Sequence, residues 1–186
     1  MNKKVSTKRI AMAGLMAALT VIGSGLRITI PVSIGGNTAF HLGNIMCALS
    51  GILLGPWLGG AAAGIGSAIY DMLNPAYIDE AWLTFLMKGA YGVVTGTVIC
   101  LGKKEWGYSK AILATSAGAA TYAVLYLAKS FLKTMIVSGT TAEAALVAVG
   151  LKIPATIFNA GVAIVFAPIL AIAIRKALKQ NHISLN

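Results

Sequence analysis

Charged residues in this sequence occupy short connectors between long apolar segments. Only 11% of the 186 residues are charged and 58% are hydrophobic, whereas a soluble domain carries about 25% charged residues. A transmembrane helix needs about 20 predominantly apolar residues. Six segments approach or meet this requirement, at 7–26, 41–55, 58–73, 83–101, 110–136 and 153–176. The sequence therefore predicts an all-α membrane protein in which residues 1–186 form a single domain of six transmembrane helices.

The net charge of +10 is distributed asymmetrically about these segments. Ten basic residues lie before or at the start of the first segment, in or next to the middle connector, or at or after the end of the last segment. They are Lys3, Lys4, Lys8, Arg9, Lys103, Lys104, Lys110, Arg175, Lys176 and Lys179. With six spans they all fall on one side of the membrane, so the positive-inside rule predicts that both termini are cytoplasmic. No basic stripe interleaved with aromatics marks a nucleic-acid-binding face, and we expect no nucleic-acid partner.

The external connectors carry local structural signals. The first, RITIPVSIGGNTAF, is polar and glycine-rich and contains a β-like piece at ITIPV. In the last, Thr140 and Glu143 have the spacing of a capping box, which predicts a short interfacial helix over 142–149. Helix 6 would then begin near Pro154, because a start at residue 142 would bring Lys152 close to the middle of the bilayer.

Polar residues within the spans concentrate towards the outer ends of the helices. Such groups are costly to bury in a membrane and are therefore candidates for function. Four of them, on helix 5, follow an i, i+4, i+7, i+11 spacing and share one helical face. The candidates for substrate binding are Asn37, His41, Asn44, Asp71, Lys88, Tyr91, Tyr122, Tyr126, Lys129, Lys133 and Asn159. They predict an outward-opening polar and aromatic cavity in which lysines outnumber acids, which favours an anionic solute.

Several of these residues also have a structural interpretation that the sequence leaves open. His41 can cap helix 2 without touching a solute. Asp71 can form an ion pair with Lys88 or Lys129 that only holds the helices together. Tyr77, in the connector NPAYIDEAW, fits the aromatic belt at a membrane interface.

The sequence offers little for catalysis or metal binding. It contains two histidines, His41 and His182, and no paired carboxylates in the spans. Cys47 and Cys100 lie in apolar stretches without spaced partners, which indicates small buried hydrophobes. The stretch GTVICLGKK lacks the spacing of a phosphate-binding loop. We therefore expect no enzymatic activity, no cofactor, no metal site and no ATPase in this chain.

Helix 1 carries a smooth face of small residues within AMAGLMAA, formed by Ala13, Gly14, Ala17 and Ala18. Small residues let helix backbones approach closely in lipid. Two interpretations are open. The face either packs against the rest of this chain or docks onto a partner membrane protein.

Together these features resemble the substrate-binding S components of energy-coupling factor (ECF) vitamin transporters. The similarity rests on the six spans, the alanine spacing of helix 1, TAFHLGN followed by LSGILLGPWLGGAAAGIGSAIYDML, and TFLMKGAYGVVTG. It implies a multi-pass protein of a prokaryotic cytoplasmic membrane that captures a vitamin from outside. It also implies docking through helix 1 on an ECF module, which is a transmembrane scaffold subunit with two ATPases.

The resemblance also implies roles for single residues. Ala13 and Ala17 take the docking role, and the implied ligand contacts are Lys88, Tyr126, Lys129 and Asn159. Because the outer lysines favour a carboxylate or phosphate, we expect pantothenate as the substrate. A pyridoxine-type vitamin or hydroxymethylpyrimidine is the alternative, as is a stand-alone secondary transporter. Riboflavin fits less well, since a large flat ring would require more aromatic side chains than this face carries.

Overall fold

A computed structural model of the chain describes residues 6–32, 36–102 and 106–182. The described residues form six α-helices and one β-hairpin. In chain order these are α1 Thr7–Gly25, β1 Arg27–Val32, β2 Gly36–His41, α2 Gly43–Leu54, α3 Pro56–Met72, α4 Ala81–Cys100, α5 Tyr108–Ile136 and α6 Ala142–Gln180. The predicted six-helix bundle is confirmed, and five of the six helices begin and end within two residues of the predicted bounds.

The connector between α1 and α2 is an antiparallel hairpin, which confirms the β-like piece predicted at ITIPV. Arg27 pairs with His41 at the base of the hairpin and Val32 with Gly36 near its tip. The hairpin is tied to α1 where the Leu42 amide donates to the Gly23 carbonyl at 3.1 Å. Its base is therefore fixed to the bundle close to the start of α2.

Helix α6 is continuous from Ala142 to Gln180, so the prediction of a separate short helix over 142–149 is wrong. The N-cap is also one residue later than predicted, because the Thr141 hydroxyl accepts a hydrogen bond from the Ala144 amide at 3.3 Å. Pro154 lies within this helix and not at its start.

The length of α6 explains why this start is tolerated. At 1.5 Å per residue its 39 residues span about 58 Å, nearly twice the thickness of a hydrocarbon core of about 30 Å. Lys152 then lies only about 15 Å from the N-terminus of the helix, and its Nζ is 3.4 Å from the Ser130 hydroxyl. Since α6 is long enough to begin beyond the lipid, Lys152 does not have to sit at mid-bilayer.

Helix α3 is packed among its neighbours through its small residues, as its sequence indicates. It follows α2 after a single residue, Gly55, whose φ of +80° favours glycine, and Pro56 occupies the first turn. At Gly66 the backbone of Ala17 on α1 is so close that a Cβ would overlap its carbonyl. These contacts hold α1, α3 and α4 at short distances.

The outer surface of the bundle is apolar, as for a protein surrounded by lipid. Exposed side chains include Leu113, Val124 and Ile157. Three helical segments are long and apolar enough to cross a membrane, and they are Ile78–Cys100, Tyr108–Ile136 and Ala142–Gln180. Helix α2 is apolar but has only 12 residues.

Six of the ten basic residues that were predicted to share one side lie in the described ranges, and they occupy one end of the bundle. At the end of the bundle opposite the hairpin, Arg9 donates to the Leu54 carbonyl at 2.6 Å and Arg175 to the Trp106 carbonyl at 3.0 Å. Lys8, Lys110, Lys176 and Lys179 lie on the same helix ends. The remaining four predicted basic residues, Lys3, Lys4, Lys103 and Lys104, lie outside the described residues.

Candidate solute-binding site

The hairpin and the neighbouring ends of α3, α4, α5 and α6 enclose a cavity of about 180 Å³. Nine of the eleven residues predicted for the site line it. They are Asn37, His41, Asp71, Lys88, Tyr122, Tyr126, Lys129, Lys133 and Asn159. The spans and loops that carry them are far apart in the sequence, so the helical bundle is what brings them together.

Asn44 and Tyr91 do not line the cavity and lie behind its wall instead. Asn44 accepts a hydrogen bond from Lys88 Nζ through its side-chain oxygen, and both residues are buried. Tyr91 is fully buried, and a Cβ on Gly118 would come within 2.5 Å of its ring. Both were predicted as substrate contacts, and the structure gives them a supporting position because α2 and α4 turn these side chains towards neighbouring helices.

Three tyrosines form a stack that runs from the buried interior to the cavity. The ring centroids of Tyr91 and Tyr122 are 6.0 Å apart, and those of Tyr122 and Tyr126 are 5.8 Å apart, with interplanar angles of 21° and 20°. Lys88 Nζ lies 4.0 Å from the Tyr122 centroid and Lys129 Nζ 5.6 Å from that of Tyr126. Cations at such positions are attracted by the electron-rich ring faces, which fixes the lysines against the stack.

The hairpin is held over the cavity by one side chain of α6. Asn159 Oδ1 accepts from the His41 amide at 2.9 Å, and Asn159 Nδ2 donates to the Ala39 carbonyl at 2.7 Å. The rings of Phe40 and Phe158 also form a T-shaped contact, with centroids 4.9 Å apart. Asn159 therefore acts on the hairpin backbone, in addition to lining the cavity.

His41 closes the start of α2, as one of its two sequence interpretations suggested. Its Nδ1 accepts a hydrogen bond from the Gly43 amide at 3.1 Å, which requires the neutral ring with its proton on Nε2. Burial, followed by the positive charges of Lys88 and Arg27, holds the pKa of His41 well below its usual range. His41 also lines the cavity, so the cap does not exclude contact with a solute.

The charge arrangement differs from the one expected for the α5 lysines. Lys129 and Lys133 both form ion pairs with Glu80, which lies in the short turn before α4. In the described ranges Asp71 forms a salt bridge with neither Lys88 nor Lys129. Glu80 was missed because it lies in a connector. Its position directly before α4 already indicated that it lies at the same membrane level as the α5 lysines.

Further residues of the cavity were not predicted as substrate contacts. Tyr77, assigned to an interfacial belt, lines the cavity together with Tyr70, and both rings lie beneath the Arg27 guanidinium. Besides the six basic residues at the other end, the described ranges contain five lysines and arginines, and all five line the cavity. They are Arg27, Lys88, Lys129, Lys133 and Lys152. Across the three described ranges, no group of three His, Cys, Asp or Glu side chains could hold a metal ion.

The small residues of α1 divide between two directions. Ala13 and Ala17 are partly buried and pack against the hydrophobic core of this chain. Gly14 and Ala18 are exposed, and a Cβ on Gly14 would meet nothing within 4 Å. Both sequence interpretations thus have a structural counterpart on the same helix.

A helical membrane bundle with a polar cavity beneath a tethered hairpin is typical of a membrane protein that binds a small solute. Residues 4–176 match the family described as ECF-type riboflavin transporter, S component. The protein therefore belongs to this family of ECF S components, which is a family of transporter subunits and not of enzymes. This confirms the resemblance to S components, but it does not point to the pantothenate type.

Curated relatives agree with this membership without naming a substrate. An uncharacterized protein in gap 3'region from Pyrococcus woesei is 33% identical over 114 residues, which cover 61% of this chain and 72% of that protein. A UPF0397 protein of Streptococcus pneumoniae (strain Hungary19A-6) is 33% identical over 96 residues, covering 52% of this chain and 50% of the relative. The chain thus spans about half the length of that relative. No solved structure gives a significant match.

Proposed function

We propose that this protein is the substrate-capture subunit of an ATP-driven ECF importer and that its solute is a small, water-soluble, anionic vitamin. The observation that carries the proposal is that, within the part of the chain that the structure describes, every lysine and arginine outside the basic end lines one cavity. Two carboxylates, Asp71 and Glu80, line the same cavity, so the surplus is positive. A positively charged, partly dehydrated cavity favours an anion.

Pantothenate remains our candidate for the solute. It is small and flexible, it carries one carboxylate, and its hydroxyl and amide groups can pair with donors and acceptors such as Asn37, Thr38 and Asp71 on the cavity wall. A second candidate class is favoured by the tyrosine stack, whose Tyr122 and Tyr126 rings line the cavity. Such rings suit a flat solute such as a pyridoxine-type vitamin, hydroxymethylpyrimidine or the riboflavin named in the family description.

Calorimetry on the purified protein tests the anionic class directly. The matched ligands are pantothenate and pantothenol, which differ in a carboxylate and an alcohol. We expect pantothenate to bind and pantothenol to bind much more weakly, while pyridoxine, hydroxymethylpyrimidine and riboflavin serve as the flat alternatives. Binding of a neutral vitamin alone would overturn the anionic assignment. Mass spectrometry of the small molecule that co-purifies with the protein gives an independent answer.

Energy for uptake would come from an ECF module, with the basic end of the bundle in the cytoplasm and the cavity facing outward. We place the docking surface on α1, where Gly14 and Ala18 are exposed and Ala13 and Ala17 form its inner border. A stand-alone secondary transporter is the competing function. Uptake into proteoliposomes that lack any ATPase would favour that alternative, and uptake only with an ECF module and ATP would support ours.

A further inference from the structure

The five cations of the cavity differ in what already offsets their charge. Lys129 and Lys133 share the carboxylate of Glu80. Lys88 donates to the neutral side chain of Asn44, and Lys152 donates to the Ser130 hydroxyl. Arg27 has neither kind of partner among the described residues, since its contacts are with ring faces and no salt bridge includes it.

The Arg27 guanidinium packs on two ring faces, and none of the described residues accepts a hydrogen bond from it. Its Cζ lies 4.6 Å from the centroid of Tyr77 and 5.2 Å from that of Tyr70. Its Nε is buried and has no hydrogen-bond partner. A buried charged donor left unpaired is costly, and the side chain lines the cavity, so a ligand there can satisfy it.

The surroundings of Arg27 favour an anion at this point. Arg27 pairs with His41 across the hairpin, and Lys88 also acts electrostatically on His41, so both cations converge on the same part of the cavity wall. Asp71 lines the cavity as well and offsets part of this charge. A guanidinium presents a planar fork of donors that matches the two oxygens of a carboxylate or phosphate.

We propose that Arg27 binds the anionic group of the solute through its guanidinium fork and is the residue that selects charged over neutral vitamins. This inference rests on the proposed function and deepens it, because it assigns recognition of the anion to the base of the hairpin. The lysines of α5, which share Glu80, then shape the cavity and contribute less to the choice between charged and neutral solutes.

The test compares pantothenate with pantothenol in Arg27→Lys and Arg27→Gln. Arg27→Lys keeps a cation over Tyr70 and Tyr77 but loses the fork, so we expect pantothenate to bind about 10- to 100-fold more weakly while pantothenol is little changed. Arg27→Gln should remove most of the preference for the carboxylate. Arg175→Gln, at the opposite end, is the matched control and should bind like the wild type. If both variants keep the wild-type preference, or lose both ligands equally, the inference is overturned.

Nitrogen-15 NMR keeps the inference testable if Arg27→Gln fails to fold. The chain has three arginines, so the Nε signal of Arg27 is assigned by its absence in Arg27→Lys. We expect this signal to shift when pantothenate is added and not with pantothenol. Binding of pantothenate without a shift would overturn the role of Arg27 and leave the proposed function intact. A wild-type protein that binds only uncharged vitamins would overturn the anionic function and this inference together.

Discussion

The side chain of Asn159 and the backbone of His41 are joined across 118 residues of sequence by a hydrogen bond of 2.9 Å. The side-chain nitrogen Nδ2 of Asn159 donates a second hydrogen bond to the Ala39 carbonyl at 2.7 Å. Through Asn159, helix α6 is thereby hydrogen-bonded to the backbone of strand β2. Two hydrogen bonds from the Asn159 side chain therefore hold the hairpin over the cavity. The contact between Phe40 and Phe158 supports this arrangement.

Replacing Asn159 with alanine should release the hairpin. Two buried hydrogen bonds are lost, which costs about 1–3 kcal/mol. We expect faster hydrogen exchange of the amides of β2 and weaker solute binding, measured by mass spectrometry and calorimetry. Asn159→Asp, which keeps the acceptor for the His41 amide, should fall between alanine and wild type. Unchanged exchange with lost binding would instead make Asn159 a direct ligand contact only.

Removing the carboxylate of Glu80 should free two lysines for the solute. In Glu80→Gln the side chain keeps its shape but no longer neutralises Lys129 and Lys133, so the cavity becomes more positive. We expect pantothenate to bind several-fold more tightly, most clearly at low salt, and pantothenol to be unaffected. Weaker binding of both ligands would mean that Glu80 is needed to hold α5 in position. Calorimetry at two salt concentrations separates these outcomes.

Stability should fall as the pH is lowered, because His41 is kept neutral in the folded protein. Its pKa is lower when folded than when unfolded, where it is near the reference value of about 6.5. Below that value His41 takes up a proton in the unfolded chain but not in the folded one, so unfolding becomes more favourable. Thermal unfolding in detergent at about pH 7.5 and about pH 5.5 measures the effect. His41→Gln should be less stable than wild type but lose less on acidification, whereas an equal loss would assign the effect to other groups.

Bulky residues on the exposed side of α1 should block transport without affecting capture. Ala18→Trp projects from the bundle surface, so we expect normal solute binding and loss of uptake in cells that contain the ECF module. Ala17→Trp is the contrasting variant, because the Ala17 backbone lies against Gly66 and this side of α1 packs on the core. That variant should lower thermal stability as well. Normal uptake by Ala18→Trp would locate the docking surface elsewhere.

The sequence predicted the helices well because in lipid a run of apolar residues has few alternatives to a helix. Nine of the eleven residues that it singled out line the cavity, since polar residues in a membrane span are rarely accidental. The start of α6 was missed because the helix was assumed to begin at the membrane surface, which would bring Lys152 close to mid-bilayer. The helix is in fact long enough to extend beyond the lipid. Asn44 and Tyr91 lie behind the cavity wall for a different reason. Periodicity shows which residues share a face, and only the packing of α2 and α4 decides which face meets the cavity.

The partners of the charges were the hardest to predict. A lysine excess on α5 is visible in the sequence, but its neutralisation by Glu80 depends on a turn of three residues at Ile78–Glu80. The free guanidinium of Arg27 likewise depends on the hairpin register, which pairs it with His41. Glu80 lies 49 and 53 residues from its two lysines along the chain, and no local pattern specifies such contacts.

The glycine contacts distinguish a closely packed part of the bundle from the part that carries the cavity. Where α1, α3 and α4 meet, backbones touch with no side chain between them, as at Gly60 and Gly92. Any added atom there disturbs the fold, so this half tolerates little variation. The cavity side chains of the hairpin, α5 and α6 are under no such constraint. A change of solute can therefore proceed by exchanging residues such as Arg27 or Tyr126 while the packed helices, including α1 with its proposed docking surface, stay the same.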